Sequence, residues 1–301
     1  MLRSWIPIEK LNWMYLSANP HDGAVYLLEE NPEKVNWNSL CQNTNFRALN
    51  MVYSRFRNTP TKFHWYYLSS NPNATRLLIA NQCRINWAQF SRNTNPEAIS
   101  LLSLPENRSQ IHWNLLSGNP GARSLLLEEL HRNTQRDPSR ICWSNMCSNP
   151  SMIDVLETAV KNEPRKIDWT MLSLNPKAIH LLQENPMSIF WENLSENPGA
   201  VYLLKKKAKE NTGELYWPNI CKNIGALDLL FNEGNVLFDK IDWSSLSVNP
   251  SIFTKWSEVE KRPFLVEMLK RPIKEELIAE ALNSRRIAAI YNKMGSLDGY
   301  I

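Results

Sequence analysis

The sequence predicts an all-α protein, an α-solenoid of about ten two-helix repeats of 22–30 residues that ends in a helical C-terminal cap. Three observations lead there: a Trp returns ten times with the same neighbours, an Asn follows each by six positions, and strand-like alternation is not evident. Self-similarity at such a period is typical of proteins whose units stack on their neighbours. The repeated tryptophans are Trp13, Trp37, Trp65, Trp87, Trp113, Trp143, Trp169, Trp191, Trp217 and Trp243.

A short first helix is predicted to begin at each Trp. The residues two before and three after the Trp are always apolar, and Ser or Cys always stands four after it. Apolar residues spaced in this way share one face of a helix, and a residue such as Asp168 or Asn36 just before the Trp can cap it. We therefore expect the tryptophans to pack in a core between units. Stacking on nucleic-acid bases is the less favoured alternative.

The Asn is predicted to end the first helix and begin the second. Its side chain can accept a bond from a free backbone N–H, and seven of the ten are followed by Pro, which suits a first helical position. A pattern such as Ala178-Ile179-x-Leu181-Leu182 then gives the second helix a wide apolar stripe. These ten residues are Asn19, Asn43, Asn71, Asn93, Asn119, Asn149, Asn175, Asn197, Asn223 and Asn249.

Two domains are expected, a repeat solenoid over residues 1–255 and a C-terminal helical cap over 256–301. After Trp243 the apolar stripe fails, and two further helical patterns follow that suit a terminal cap with a polar outer face. Ten layers at a helix-packing distance of roughly 10 Å would give a rod or arc on the order of 100 Å long.

Composition agrees with a reducing compartment and a sizeable core. Apolar residues make up 43% of the chain, and there is neither an apolar run long enough for a transmembrane helix nor a signal-peptide core at the start. The five cysteines form no disulfide framework and no C-x-x-C spacing. We expect no transmembrane segment.

The sequence does not favour an enzyme. The five histidines make no metal-ligand spacing, no phosphate-binding glycine motif is present, and the Ser or Cys position resembles a packing contact more than a nucleophile. His64 and His112 occupy the capping position before Trp. We expect no catalytic residue, no metal site and no cofactor.

A possible basic edge lies at the junctions between the second helix and the next Trp. Insertions at one phase of a repeat project from one edge, which is often the binding face, although lysines and arginines also keep loops soluble. The net charge is only +4. The residues of this possible edge are Arg55, Arg57, Arg132, Arg136, Arg140, Lys205, Lys206 and Lys207.

The unit I-D-W-x-x-L-S-x-N-P-x-A-I-x-L-L-x-x-N-P, read from residues 167–186, resembles short tandem-repeat proteins encoded by nucleocytoplasmic large DNA viruses, including chloroviruses and mimivirus relatives. The resemblance covers residues 5–255. The tail is similar too, through 275–278, Arg286, Gly295 and Asp298, although Asn283-Ser284 stands where His-Pro is usual. It implies a viral origin, with a place in the virion and, during assembly, in the host-cell cytoplasm.

The function expected is a structural interaction protein, specifically a minor capsid protein of a large DNA virus that contacts several capsid subunits. The first alternative is a protein-binding adaptor of the infected cell, and the second is nucleic-acid binding through the basic edge. Within the repeat, we expect Trp169→Ala to cost roughly 3 to 5 kcal/mol. Loss of the cap in Asn175→Ala should cost only about 1 kcal/mol.

Overall fold

The computed structural model describes residues 1–56, 64–132, 140–210, 215–232 and 235–254. In these ranges the chain is built from α-helices and 3₁₀ turns, and the predicted all-α class is confirmed there. A small antiparallel pair, β1 (Phe231–Asn232) and β2 (Asn235–Val236), is the exception. The predicted cap at 256–301 lies outside the described residues.

A short helix begins at each of the ten tryptophans, as predicted. We number the units 1 to 10 by their Trp, number the helices in chain order, and call these ten the Trp helices. They are α1 (Trp13–Leu16), α3 (Trp37–Gln42), α5 (Trp65–Ser69), α7 (Trp87–Phe90), α9 (Trp113–Ser117), α11 (Trp143–Cys147), α13 (Trp169–Leu172), α15 (Trp191–Glu196), α17 (Trp217–Lys222) and α18 (Trp243–Val248).

A second α-helix follows in the first eight units. These second helices are α2 (Asp22–Glu30), α4 (Phe46–Phe56), α6 (Thr75–Ala80), α8 (Pro96–Ser103), α10 (Arg123–Arg132), α12 (Ile153–Asn162), α14 (Ile179–Glu184) and α16 (Val201–Glu210). Units 9 and 10 have the 3₁₀ turns Leu227–Leu230 and Pro250–Ile252 at this place.

The predicted helix start at Asn-Pro is mostly a 3₁₀ turn, because the tight turn satisfies the first backbone groups before the α-helix begins. Such turns occupy Pro72–Ala74, Pro120–Ala122, Pro150–Met152 and Pro198–Ala200. In units 1 and 4 the prediction is wrong in its position, because α2 and α8 begin at Asp22 and Pro96. Their N-caps are His21 and Asn95, each two residues after the repeated Asn. Further 3₁₀ turns precede the Trp helices at Ile8–Lys10, Pro32–Lys34, Gln82–Arg84, Pro105–Gln110, Pro164–Lys166, Pro186–Ser188 and Phe238–Lys240.

One continuous apolar core runs through all ten units. It is made by the residue three after each Trp together with the apolar faces of the second helices, for example Leu172, Ala178 and Leu182 in unit 7, each fully buried. Because a helix of four to six residues cannot persist alone in water, this shared core holds the Trp helices in place.

The contacts between units form a closed series. Most consecutive Trp helices pack together, and α1 packs against α18 as well. Leu2 forms an antiparallel bridge with Phe253, and the N–H of Thr254 donates to the carbonyl of Met1 over 2.8 Å. Of the rod or arc that was expected, the rod is therefore wrong, since the first and tenth units are neighbours.

Candidate interaction surface

The repeated Asn makes three hydrogen bonds, two of which cross to the preceding unit. In unit 7, Asn175 Nδ2 donates to the carbonyl oxygens of Cys147 and Asn149 over 3.0 and 3.1 Å. Its Oδ1 accepts from the N–H of Lys177 over 3.0 Å, which is the cap that the sequence predicts. All ten side chains are buried and bond in this way, namely Asn19, Asn43, Asn71, Asn93, Asn119, Asn149, Asn175, Asn197, Asn223 and Asn249.

In the seven units that have Ser four residues after Trp, this Ser also joins units. In unit 7, Ser173 Oγ donates to the carbonyl of Trp169 over 2.8 Å and accepts from the N–H of Phe190, in unit 8, over 3.2 Å. Cys147 takes the acceptor role in unit 6, where the N–H of Asp168 lies 3.4 Å from its sulfur. The hydroxyl is therefore held on both sides in the interior, which explains why this position is small and weakly polar.

Burial keeps three thiols at this position protonated. It raises the pKa of Cys41 to about 12 and those of Cys147 and Cys221 to about 11. Cys83, between units 3 and 4, is exposed. A thiol that attacks a substrate must first ionise, so the three buried groups are poor nucleophiles at neutral pH.

The tryptophans pack against the core with one part of the ring left accessible. Trp113 is buried and the other nine are half-buried. Four rings are covered by a cation of the same chain. The ammonium nitrogens of Lys34, Lys166 and Lys207 lie 4.5, 4.7 and 4.9 Å from the ring centroids of Trp13, Trp143 and Trp191, respectively. The Arg55 guanidinium lies 5.7 Å from the ring centroid of Trp37. These cation–π contacts compete with any base that would stack there.

Most of the described residues of the possible basic edge are engaged within the chain. Arg132 pairs with Glu128 at 2.9 Å, Arg140 lies 4.0 Å from Glu129, and Lys205 pairs with Asp228 at 3.1 Å. Lys206 is exposed, and Arg57 and Arg136 lie outside the described residues. Together with Arg55 and Lys207 on their tryptophans, these contacts leave a weaker positive field than the sequence alone suggests.

Glu128 is the most strongly held carboxylate of that edge. Its Oε1 accepts from Arg108 over 2.8 Å and from Arg132 over 2.9 Å, and the bond from Arg108 is the main reason its pKa is lowered. A carboxylate placed between two guanidinium groups neutralises much of their field. The edge here is a local ion-pair network.

Units 8 and 9 depart from the repeat at the position just before Trp. Elsewhere a polar side chain there often caps the Trp helix, as when Asp242 accepts from the N–H of Ser245 over 2.6 Å. Units 8 and 9 have Phe190 and Tyr216 instead, which make no cap bond and are 48% and 44% exposed. Met187, three residues before Phe190, is 98% exposed. Sequence reasoning missed this departure, although the two aromatic letters at a polar position signal it.

The comparisons with known proteins give no relative. No family model, curated protein or solved structure matches this chain. No helix in the described ranges is long and apolar enough to cross a membrane. In those same ranges, no group of three or more His, Cys, Asp or Glu residues is placed to hold a metal ion.

Proposed function

We propose that this protein is a non-enzymatic interaction scaffold, a closed solenoid of ten helical units that presents docking positions to protein partners around its rim. One observation carries the proposal. The side chains of the repeated Asn and Ser are already engaged in hydrogen bonds between units, including those between the first and the tenth. Ring-shaped repeat proteins bind through positions that vary from unit to unit, because the repeated positions hold the stack together.

The contacts of the repeated polar residues argue for this reading over catalysis. A nucleophilic hydroxyl needs an adjacent base and access to substrate. Ser173 instead donates to a helix carbonyl and accepts a backbone N–H, in the interior. The Asn side chains are similarly saturated, since Asn175 has both amide hydrogens and its oxygen engaged.

The specific form we propose is a minor capsid protein of a large DNA virus that contacts several capsid subunits. Its support is the resemblance of the repeat unit to those of such viruses. Because α1 packs on α18, capsid subunits would bind around a circle and not along a rod.

An adaptor of the infected cell is the alternative form of the same role. The departure of units 8 and 9 favours it, because a single altered arc suits one partner held at one place on the ring. Nucleic-acid binding is the weaker alternative, since four Trp rings are already covered by cations and, of the described edge arginines, Arg132 and Arg140 lie against Glu128 and Glu129. A binding assay at low salt should therefore give no tight complex.

Mass spectrometry of purified virions, with chemical cross-linking, tests the proposal. The capsid form predicts a constant ratio of this chain to the major capsid protein through a density gradient, and cross-links from rim lysines to capsid subunits. Presence only in infected cells, in a stoichiometric soluble complex, would replace the capsid form by the adaptor form. Failure to find any protein partner in either place would overturn the scaffold role.

A further inference from the structure

The strongest unassigned feature is the pair of exposed aromatic residues in units 8 and 9. Phe190 and Tyr216 occupy equivalent places at successive unit boundaries: the N–H of each donates to the Ser of the preceding unit, Ser173 and Ser195, over 3.2 Å. Ser195 lies in α15, the helix that Phe190 precedes. The two aromatic residues are therefore neighbours along the rim.

This arrangement costs stability without an internal gain. A cap at this position is worth about 1 kcal/mol, and five of the ten units have an Asn or Asp there. A large apolar side chain left half in water adds nothing to the core. A residue that departs from the local sequence pattern at a cost in stability is more often at a functional position than at a structural one.

The surroundings indicate the charge of a partner. Helix α16 connects unit 8 to Tyr216 and contains Lys205, Lys206, Lys207 and Lys209 against one acidic residue. Lys207 Nζ lies 4.9 Å from the ring of Trp191, the residue after Phe190, which places positive charge at the start of α15.

The carboxylates of units 8 and 9 cancel that charge only in part. Asp228 accepts from Lys205 over 3.1 Å, and Glu196 lies 3.5 Å from Lys222. Lys206 and Lys209 remain exposed on α16. A partner that presents carboxylates beside apolar side chains would complement both features.

We propose that Phe190, Tyr216 and Met187, with the lysines of α16, form a docking site for a protein segment in which Asp or Glu residues alternate with large apolar residues. This inference rests on the proposed scaffold function and specifies the chemistry of one partner. The apolar side chains of the segment would cover the two rings, and its carboxylates would meet Lys206 and Lys209. Aromatic anchors with a charged surround are typical of binding hot spots.

The test is selection of random displayed peptides, about 12 residues long, against the full chain, followed by fluorescence anisotropy of the best synthetic peptide. We expect sequences rich in Asp or Glu beside Leu, Phe or Trp. Phe190→Asn with Tyr216→Asn should weaken binding about tenfold or more, and Lys206→Glu with Lys209→Glu should weaken it severalfold and remove its salt dependence. His64→Asn, in the same position of unit 3, is the matched control and should leave the affinity within about twofold.

Thermal melting of the same variants separates binding from packing. Because Asn caps this position in other units, the Phe190→Asn, Tyr216→Asn variant should melt at the same temperature or higher while it loses the peptide. A clear fall in melting temperature would assign the two rings to packing and overturn the inference. Selected peptides that lack carboxylates, or that bind the double variant unchanged, would also overturn it.

Two measurements test whether something other than a protein segment occupies this docking site. Dimerisation abolished by the double variant would make a second copy of this chain the occupant, and binding to anionic phospholipid vesicles abolished in the same way would make it a lipid surface. Either result would overturn the peptide proposal. Neither bears on the scaffold function itself, which depends on the virion and complex measurements above.

Discussion

Asn19 Nδ2 donates to the carbonyl oxygen of Ser247 over 2.9 Å, although 228 positions separate the two residues in the chain. It also donates to Asn249 over 3.0 Å, while the N–H of Asn12 donates to Ser247 Oγ over 2.8 Å. The two bonds of the repeated Asn join each of the remaining pairs of consecutive units in the same way. Unit 10 therefore receives unit 1 as it would receive an eleventh unit.

This closure makes a first prediction about Asn19→Ala. In a closed ring the substitution leaves the buried carbonyl of Ser247 and one N–H without partners, and the carbonyl of Asn249 keeps only the N–H of Ile252. It should therefore cost about 2 to 4 kcal/mol, close to the cost of Asn43→Ala inside the chain. In an open rod Asn19 would have no preceding unit, and only the cap, worth about 1 kcal/mol, would be lost. Urea unfolding of the two variants decides, and a small effect at Asn19 beside a large one at Asn43 would contradict the ring.

Asn175→Ala is the second prediction, and it revises the cost of about 1 kcal/mol expected from capping alone. The loss leaves the carbonyl of Cys147 without this donor in the interior and leaves the carbonyl of Asn149 with only the N–H of Met152, so we expect about 2 to 4 kcal/mol. Asn193→Ala is the control: Asn193 Nδ2 makes one bond, to Thr170 O over 3.0 Å, and its side chain is only partly buried. It should cost about 1 kcal/mol or less. Equal effects of the two substitutions in chemical denaturation would show that the crossing bonds add no stability.

The repeated Asn shows which parts of the fold can be predicted from the sequence. Its spacing from Trp and the following Pro predict a turn and a cap, because both depend only on residues close in the chain. The two bonds of Asn175 to unit 6 depend on how units are rotated against each other, and the repeat motif does not contain that angle. Closure is the sum of ten such rotations, so the same motif was compatible with a rod.

The rim was predicted less well than the core. Apolar residues at fixed distances from Trp, such as Leu172, could be assigned to the interior because burial is the only physical reason for that regularity. Phe190 and Tyr216 could not be assigned in this way, because they replace a polar residue at a position that varies among the units. Acidic residues such as Glu128 lie near the edge in the sequence, but only the fold shows which cation each one pairs with, as Glu128 does with Arg132.

The third prediction is a pH dependence at the junction of units 1 and 10. His21 Nδ1 accepts from the N–H of Gly23 over 3.0 Å, and the ring stacks on Phe253 with centroids 5.0 Å apart. Burial lowers the pKa of His21 from its ordinary value of 6.5, partly offset by Asp22 and reinforced by the N-terminal charge. The neutral ring is therefore the form that the folded state prefers.

The direction of this pH dependence follows from the difference in proton binding between the folded and unfolded chains. As the pH falls below 6.5, the unfolded chain binds a proton at His21 before the folded chain does, so the free energy of unfolding decreases until the pH passes the lowered folded pKa. His21→Asn keeps a capping acceptor and removes the titration. The difference in unfolding free energy between pH 7.5 and 5.5 should be smaller in this variant than in the parent. An unchanged difference would assign the pH dependence to other groups.

Thiol reactivity gives the fourth prediction. With a disulfide reagent at neutral pH, exposed Cys83 should react first and half-buried Cys142 more slowly. Cys41, Cys147 and Cys221 should react only on unfolding, because they are buried and their pKa values are raised to about 12, 11 and 11. Cys83→Ser should remove the fast phase alone. A fast reaction of more than one thiol in that variant would show that the core opens readily.

The fifth prediction concerns the close approach of units 7 and 8. A Cβ on Gly199 would lie 2.5 Å from the carbonyl oxygen of Pro176 and 3.1 Å from its Cα, both backbone atoms of unit 7. Gly199→Ala must therefore push the two units apart, and we expect a loss of about 1 to 3 kcal/mol.

Gly118→Ala is the matched control for that substitution. Its Cβ would meet nothing nearer than the carbonyl oxygen of Asn145 at 3.6 Å, and its φ is −84°. It should be neutral or stabilising by about 0.4 to 1 kcal/mol, because alanine restricts the unfolded chain. Unit 7 has Lys177 where unit 8 has Gly199, so units can be spaced to admit a side chain there. If Gly199→Ala and Gly118→Ala have the same melting temperature, units 7 and 8 can also be spaced to admit a side chain at this position. The glycine then does not determine the distance between the two units.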